Sequence, residues 1–306
     1  MKSFLATLTI TFLFASSSIY SQGDRIMDEA VYSEWNRITD TKISQNGDWV
    51  LYTLEPGYGD KSTVLYNTRN QQEFRYERSE DALFDYSGNY IYFLREPAVE
   101  LVKDEKRKKT KDKDMPGDTL VIVDLANNTE TTYPDISAFK IPEKAGQVVA
   151  AKIRNDSKPK KKKTGKQSTD SVIYIDSKNG TIDTIPRVID FTFAEESSSL
   201  LYAVKEDSIT TGGVFIRDGI AVDTIMATSG KLYQLSINKD ATQAAFVVDA
   251  DTTDVINRPY QLYHWNANSK STKEILNSNS TILPSCLLYT SPSPRDATLS
   301  RMPSSA

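Results

Sequence analysis

A turn motif written twice, a 17-residue interval that recurs three times and a series of short apolar runs predict an all-β fold, a β-propeller of about five recognisable blades. The motif is an apolar residue, a polar turn centred on a small residue, then an apolar strand. It reads Ile43-Ser44-Gln45-Asn46-Gly47-Asp48-Trp49-Val50-Leu51-Tyr52 and again Phe84-Asp85-Tyr86-Ser87-Gly88-Asn89-Tyr90-Ile91-Tyr92-Phe93. Looser copies begin at Ile141, Phe193 and Ile237, with Ala145, Ser197 and Ala241 at the glycine position. Each copy is followed by a strand that ends on a polar turn residue: Asn67, Asp124, Asp176, Asp218 and Asn266. From that residue to the next apolar start is 17 residues for Asn67 to Phe84, for Asp124 to Ile141 and for Asp176 to Phe193, and 19 for Asp218 to Ile237. A third strand fits the interval, as at residues 72–76 and 129–133, and Asn127-Asn128 and Asn179-Gly180 suit hairpin turns. One small sheet cannot cover both its faces, whereas neighbours stacked around an axis can. An immunoglobulin-like sandwich would not repeat one interval through successive units.

The elements follow in chain order. Lys2, an apolar run over residues 4–15 and small or polar residues through Ser21 have the order of a secretory signal peptide, so residues 1–21 are expected to be removed. The run has 12 residues, whereas a membrane span needs about 20. No cysteine follows it to carry a lipid. The expectation is an exported protein, secreted or periplasmic, with no membrane anchor. Residues 28–35 predict a short leader helix, and residues 22–285 the propeller domain. The remaining half of the repeat varies: 24 residues from Ile43 to Asn67, then 40, 35, 25 and 29 in the later copies. The excess coincides with two basic runs. One spans residues 103–114 with seven basic and four acidic side chains, and the other holds six lysines between Lys158 and Lys166. Both read as solvated, mobile insertions in strand-to-strand loops, at about residues 101–118 and 156–170.

The last segment has no apolar periodicity. Residues 286–306 back-translate, in one frame, to the two ends of a transposon-type sequencing adapter separated by a gap of index length at Ala297, Thr298 and Leu299. This tail is expected to be translated adapter rather than native sequence, with the gene continuing past Ser285. Five blades at about 40–45 residues each are also fewer than the usual closed ring, so truncation before ring closure is expected.

Composition removes several functions. The single cysteine cannot form an internal disulfide, and with one histidine there is no Cys/His metal site. A net charge of −4 gives no reason to expect nucleic acid as a partner. No Gly-x-Ser-x-Gly elbow occurs. Thr164-Gly165-Lys166 lacks the first glycine and the following Ser/Thr of a phosphate loop, and Asn46-Gly47-Asp48 is not followed by the remaining ligands of a calcium loop. His264, between Tyr263 and Trp265, reads as a half-buried strand histidine, and Glu195-Glu196 as a polar surface turn. Trp49, Tyr52, Tyr90 and Tyr92 read as side chains between blades. No catalytic, cofactor-binding or metal-binding residue is assigned, and no cofactor is implied.

Tyr32-Ser33-Glu34-Trp35-Asn36, the motif at residues 43–52, the lysine-rich insertion and the following Met115-Pro116-Gly117-Asp118-Thr119-Leu120 resemble the start of an exported bacterial serine peptidase of the prolyl oligopeptidase family. The resemblance covers residues 22–285. It implies a propeller that restricts access of peptide substrates to a C-terminal α/β-hydrolase domain carrying a Ser-Asp-His triad. None of those catalytic positions maps onto this chain, which is therefore expected to be inactive alone. The other function compatible with these residues is a non-enzymatic periplasmic propeller that binds a protein or ligand.

Overall fold

The computed structural model describes residues 35–154, 169–208, 211–249, 260–277 and 280. The signal segment, the leader helix apart from Trp35, nearly all of the second basic insertion and the tail from Cys286 lie outside the described residues. Strands dominate. β1 (Asn36–Ile43), β2 (Trp49–Pro56), β3 (Ser62–Asn67) and β4 (Glu73–Glu77) form an antiparallel sheet in sequence order. A ten-stranded sheet follows, again in sequence order: β5 (Ser79–Phe84), β6 (Tyr90–Arg95), β7 (Asp118–Asp124), β8 (Thr129–Lys140), β9 (Val148–Ile153), β10 (Asp170–Asp176), β11 (Thr181–Phe193), β12 (Leu200–Val204), β13 (Gly213–Asp218) and β14 (Ala221–Ala227). The third sheet holds β15 (Lys231–Ile237), β16 (Gln243–Asp249), β17 (Tyr260–Asn266) and β18 (Ser271–Leu276).

The long sheet is three four-strand ladders joined through shared strands. The first part of β8 pairs with β7 and its last residues with β9; β11 likewise serves β10 and then β12. The 17-residue interval therefore holds the outer strand of one ladder and the first strand of the next. The third strand expected there is present, and the first strand of the next ladder shares the interval with it. The two strands merge into one wherever the register shifts at a bulge instead of breaking.

Side-chain alternation explains the stacking. In a strand, successive residues face opposite sides. On β6, Ile91 and Phe93 join Leu51 and Leu65 of the preceding ladder, whereas Tyr92 and Leu94 join Val149 and Ala151 of the following one. On β9, Val148 and Ala150 turn towards Leu200 and Tyr202. On β12, Leu201 and Ala203 turn towards Phe246 and Val248. Both faces of the middle ladders are thus buried, and their central strands read as unbroken apolar runs rather than alternating ones. Each fully buried Leu, Ile or Phe contributes about 1.5–3 kcal/mol. The end ladders cover one face each. Val50, Tyr52, Leu54 and Tyr66 on the first, and Tyr233, Val247 and Leu262 on the last, stay partly exposed.

The turn motif shares one closing hydrogen bond in four copies, although Ser197, at the glycine position of the copy starting at Phe193, lacks the positive φ of the other three. The N–H groups of Ser44, Asp85, Ala194 and Asn238 donate to the carbonyls of Trp49, Tyr90, Ser199 and Gln243, at 2.9–3.1 Å. Asp85, 3% exposed, accepts the amides of Asn89 and Tyr90, so this polar group is buried without being orphaned. Gly47, Gly88 and Ala241 take φ of +73°, +69° and +59°. The third copy departs from the expectation: Gly146, not Ala145, holds the left-handed conformation, because that turn is longer by a residue. A second periodic device lies three residues before three of the five apolar starts, Ile43, Phe84 and Ile237. Asp40, Asp81 and Gln234 have positive φ at a register shift, a bulge that re-aims the strand entering the turn.

Candidate functional site

In an antiparallel meander, successive connections alternate between the two ends of the sheet. The tight motif turns and the turns after Asn67, Asp124, Asp176, Asp218 and Asn266 share one end. The connections after β2, β6, β9, β12 and β16 share the other, and the first basic insertion lies there. That end carries a group of neighbouring carboxyls with shifted proton affinities.

The first basic insertion is ordered, which corrects the expectation of a mobile loop. It forms the helix α1 (Val99–Arg107) and a short 3-10 turn, Asp112–Asp114. The reason is charge spacing that the run's net positive charge conceals. Glu100–Lys103, Asp104–Arg107 and Glu105–Lys108 are i,i+3 ion pairs. The first turn is anchored from the neighbouring ladder: Asp60 accepts the Val99 N–H at 2.8 Å, and the Tyr58 hydroxyl donates to Glu100 at 2.8 Å. The Lys103 ammonium sits 3.9 Å from the centre of the Tyr58 ring. At the far side Arg154 donates to the Met115 carbonyl at 2.7 Å, holding the descending arm.

Beneath α1, Lys61 at the start of β3 reaches Glu80 of β5 at 2.9 Å and Glu55 of β2 at 3.7 Å. Arg37 of β1 pairs with Glu55 at 2.5 Å. Glu80 in turn meets Glu96, whose carboxyl is pushed up to about 7 by burial and by its hydrogen bond with Glu80. Lys61 holds Glu80 below the usual carboxylate range. Glu96 thus keeps its proton near neutrality and donates it to an ionised Glu80. Asp118, at the start of β7, is raised by burial and by the Glu80 charge. The backbone frames the group: the Arg78 carbonyl accepts the Glu96 N–H, and the Arg78 N–H donates to Lys61, both at 2.7 Å. Chemically, this is a proton-sharing carboxyl pair with a cation on one side, linking the first ladder to the second. Sequence reasoning missed it, because Glu80 and Glu96 meet only through the pairing of β5 with β6, and no spacing signals that.

The residues weighed in the sequence fall as follows. His264, on β17, is half-buried with Nε2 3.1 Å from Gln243 Oε1. Trp49, Tyr90 and Tyr92 join the cores between ladders, whereas Tyr52 faces the uncovered side of the first sheet. Glu195 and Glu196 sit in a turn, and Glu195 pairs with Lys144 and Lys239 from the turns on either side, clamping three ladders at their tight-turn end. Asn46 and Asp48 hydrogen-bond within their own turn. Thr164-Gly165-Lys166 lies outside the described residues. Among the described residues, no group of three or more His, Cys, Asp or Glu is placed to hold a metal ion, and no helix is long and apolar enough to cross a membrane.

Neither a protein-family model nor a curated protein matches the chain. Among solved structures it is similar to the β-propeller domain of the Trilobed protease from Pyrococcus furiosus, at 12% identity and TM-score 0.43, over 81% of this chain and 73% of that one. It is similar to the acylaminoacyl peptidase of Pyrococcus horikoshii at 12% identity and TM-score 0.42, over 81% of this chain and 40% of that one. It is also similar to the tricorn protease, at 11% identity and TM-score 0.41, over 75% of this chain and 21% of that one. The chain therefore spans well under half the length of the two peptidase chains.

Proposed function

We propose that the chain is the N-terminal, substrate-gating propeller of a secreted serine peptidase of the prolyl oligopeptidase kind, whose α/β-hydrolase domain is encoded downstream. Its ladders are the blades of that propeller, five in the part present here. The observation that carries the reading is the face-sharing pattern: each middle ladder divides its alternate residues between two neighbours. The first and last ladders each keep one apolar face only partly covered, as blades awaiting further blades would. The leader motif, the lysine-rich insertion and the signal-like N-terminus add the family character. Gating fits an end that carries long, variable connections over a rigid strand framework.

Sequencing the gene past the codon for Ser285 tests this reading. It expects further copies of the turn motif, then a Gly-x-Ser-x-Gly followed by Asp and His. A stop codon soon after closing blades would contradict it and leave a non-enzymatic binding propeller.

A further inference from the structure

The strand alternation that buries both faces of the middle ladders leaves two faces over, one at each end of the stack. In the register of the turn motif, Val50 and Tyr52 of β2 occupy the positions of Ile91 and Phe93 of β6, and Tyr66 of β3 that of Val123 of β7. Ile91, Phe93 and Val123 are fully buried against the preceding ladder. Val50, Tyr52 and Tyr66 stay partly exposed, since among the described residues no ladder precedes the first. At the other end, Val247 of β16 and Leu262 of β17 occupy the positions of Leu94 of β6 and Leu120 of β7, which bury against the following ladder. Val247 and Leu262 are again partly exposed. The two uncovered faces are therefore the two halves of one interface, which the chain already makes between its own successive ladders.

A propeller unit takes about 40–45 residues, and the 30 that follow Leu276 in this chain fall short of another ladder. A second copy offers the missing half ready-made. The rims of the two faces also agree in sign. Glu73, Arg75 and Glu77 of β4 flank the first face, and Arg75 is paired with Glu77 at 2.9 Å, so the surplus there is negative. On the last face Lys273 of β18 stands opposite His264. Neighbouring ladders bring outer strand to outer strand, as β14 meets β18. Stacking one copy on the next in the same way sets Lys273 on the side of β4.

We propose that the 306-residue chain associates head to tail, Val247 and Leu262 of one copy stacking on Val50, Tyr52 and Tyr66 of the next. Exposed apolar patches of this kind mark protein contacts. The interface joins two different surfaces, so the assembly extends as an open chain unless its rotation closes a ring. This association depends on the blade reading of the ladders given above and on no downstream hydrolase domain.

The test is sedimentation velocity on the 306-residue chain at about 1 to 100 μM. The native chain is expected to associate with a dissociation constant of about 10 μM or tighter. Val50→Lys blocks the first face and Leu262→Lys the last, each placing a charge that an apolar interface cannot pair. Either variant alone should associate at least about tenfold more weakly. An equimolar mixture of the two should regain association as a complex of one copy of each, because each variant keeps the face that the other has lost. Tyr52→Lys and Val247→Lys take the place of any variant that fails to melt cooperatively. A native chain that stays monomeric through about 100 μM, as when its end ladders close on each other, would overturn the proposal. So would undiminished association of either variant alone, or a mixture of folded variants that stays monomeric. None of these results bears on the hydrolase domain, which the downstream gene sequence decides.

Discussion

Glu96 shows how one residue's surroundings set a property of the whole chain. Its carboxyl is raised to about 7 because the strand ends bury it and Glu80 shares its proton. In the unfolded chain it returns to the ordinary glutamate range, about 4.3. The protonated form therefore supports the fold fully at low pH, and that support is lost as pH climbs through about 7. Glu96→Gln mimics the protonated form at every pH. Thermal melts from pH 5 to pH 8 should show the native chain losing stability relative to the variant, with the two closest at pH 5; parallel curves would contradict this. A second residue is a small imperfection in the repeat. Ala241 occupies the left-handed position that Gly47 and Gly88 hold in the clearer copies. Ala241→Gly should stabilise by about 0.5–1 kcal/mol, the relief of a left-handed alanine less the added freedom of unfolded glycine. A fall in melting temperature would show that the turn gains something from the methyl group.

At the scale of elements, the decisive feature is the strand with two buried faces. Phe93 is fully buried and packs its ring 5.2 Å from that of Tyr76, tying β6 to the preceding ladder. Phe93→Ala should cost about 3–5 kcal/mol, read from urea unfolding, and a loss below about 1 kcal/mol would mean that the first ladder is not docked on the second. The strands and their turns were legible in the sequence because their signals are local. All five strand ends from Asn67 to Asn266 fall where the polar turn residue placed them, and four of those side chains cap the turn themselves. The shared strands β8 and β11 were not legible, since merging two strands across a bulge leaves no mark in apolar periodicity. Helix α1 was hidden by composition: its net positive charge suggested a solvated run, and only the i,i+3 pairing and the contacts to Asp60 and Tyr58 give it order.

For the whole molecule, the repeat foretold sequential ladders stacked face to face, and the constant and variable halves of the repeat correspond to opposite ends of the sheets. The candidate sites were less legible. The carboxyl pair comes from strand register, since Glu80 and Glu96 meet only through the pairing of β5 with β6. Chemistry assembled across ladders has no local motif. Under the proposed function the ladders would restrict access, and hydrolysis would belong to a nucleophile supplied by another domain. A fluorophosphonate serine-hydrolase probe tests that division directly. The account predicts no covalent labelling of the 306-residue chain and labelling of the longer product of the same gene. Labelling of the 306-residue chain itself, at any serine, would contradict it.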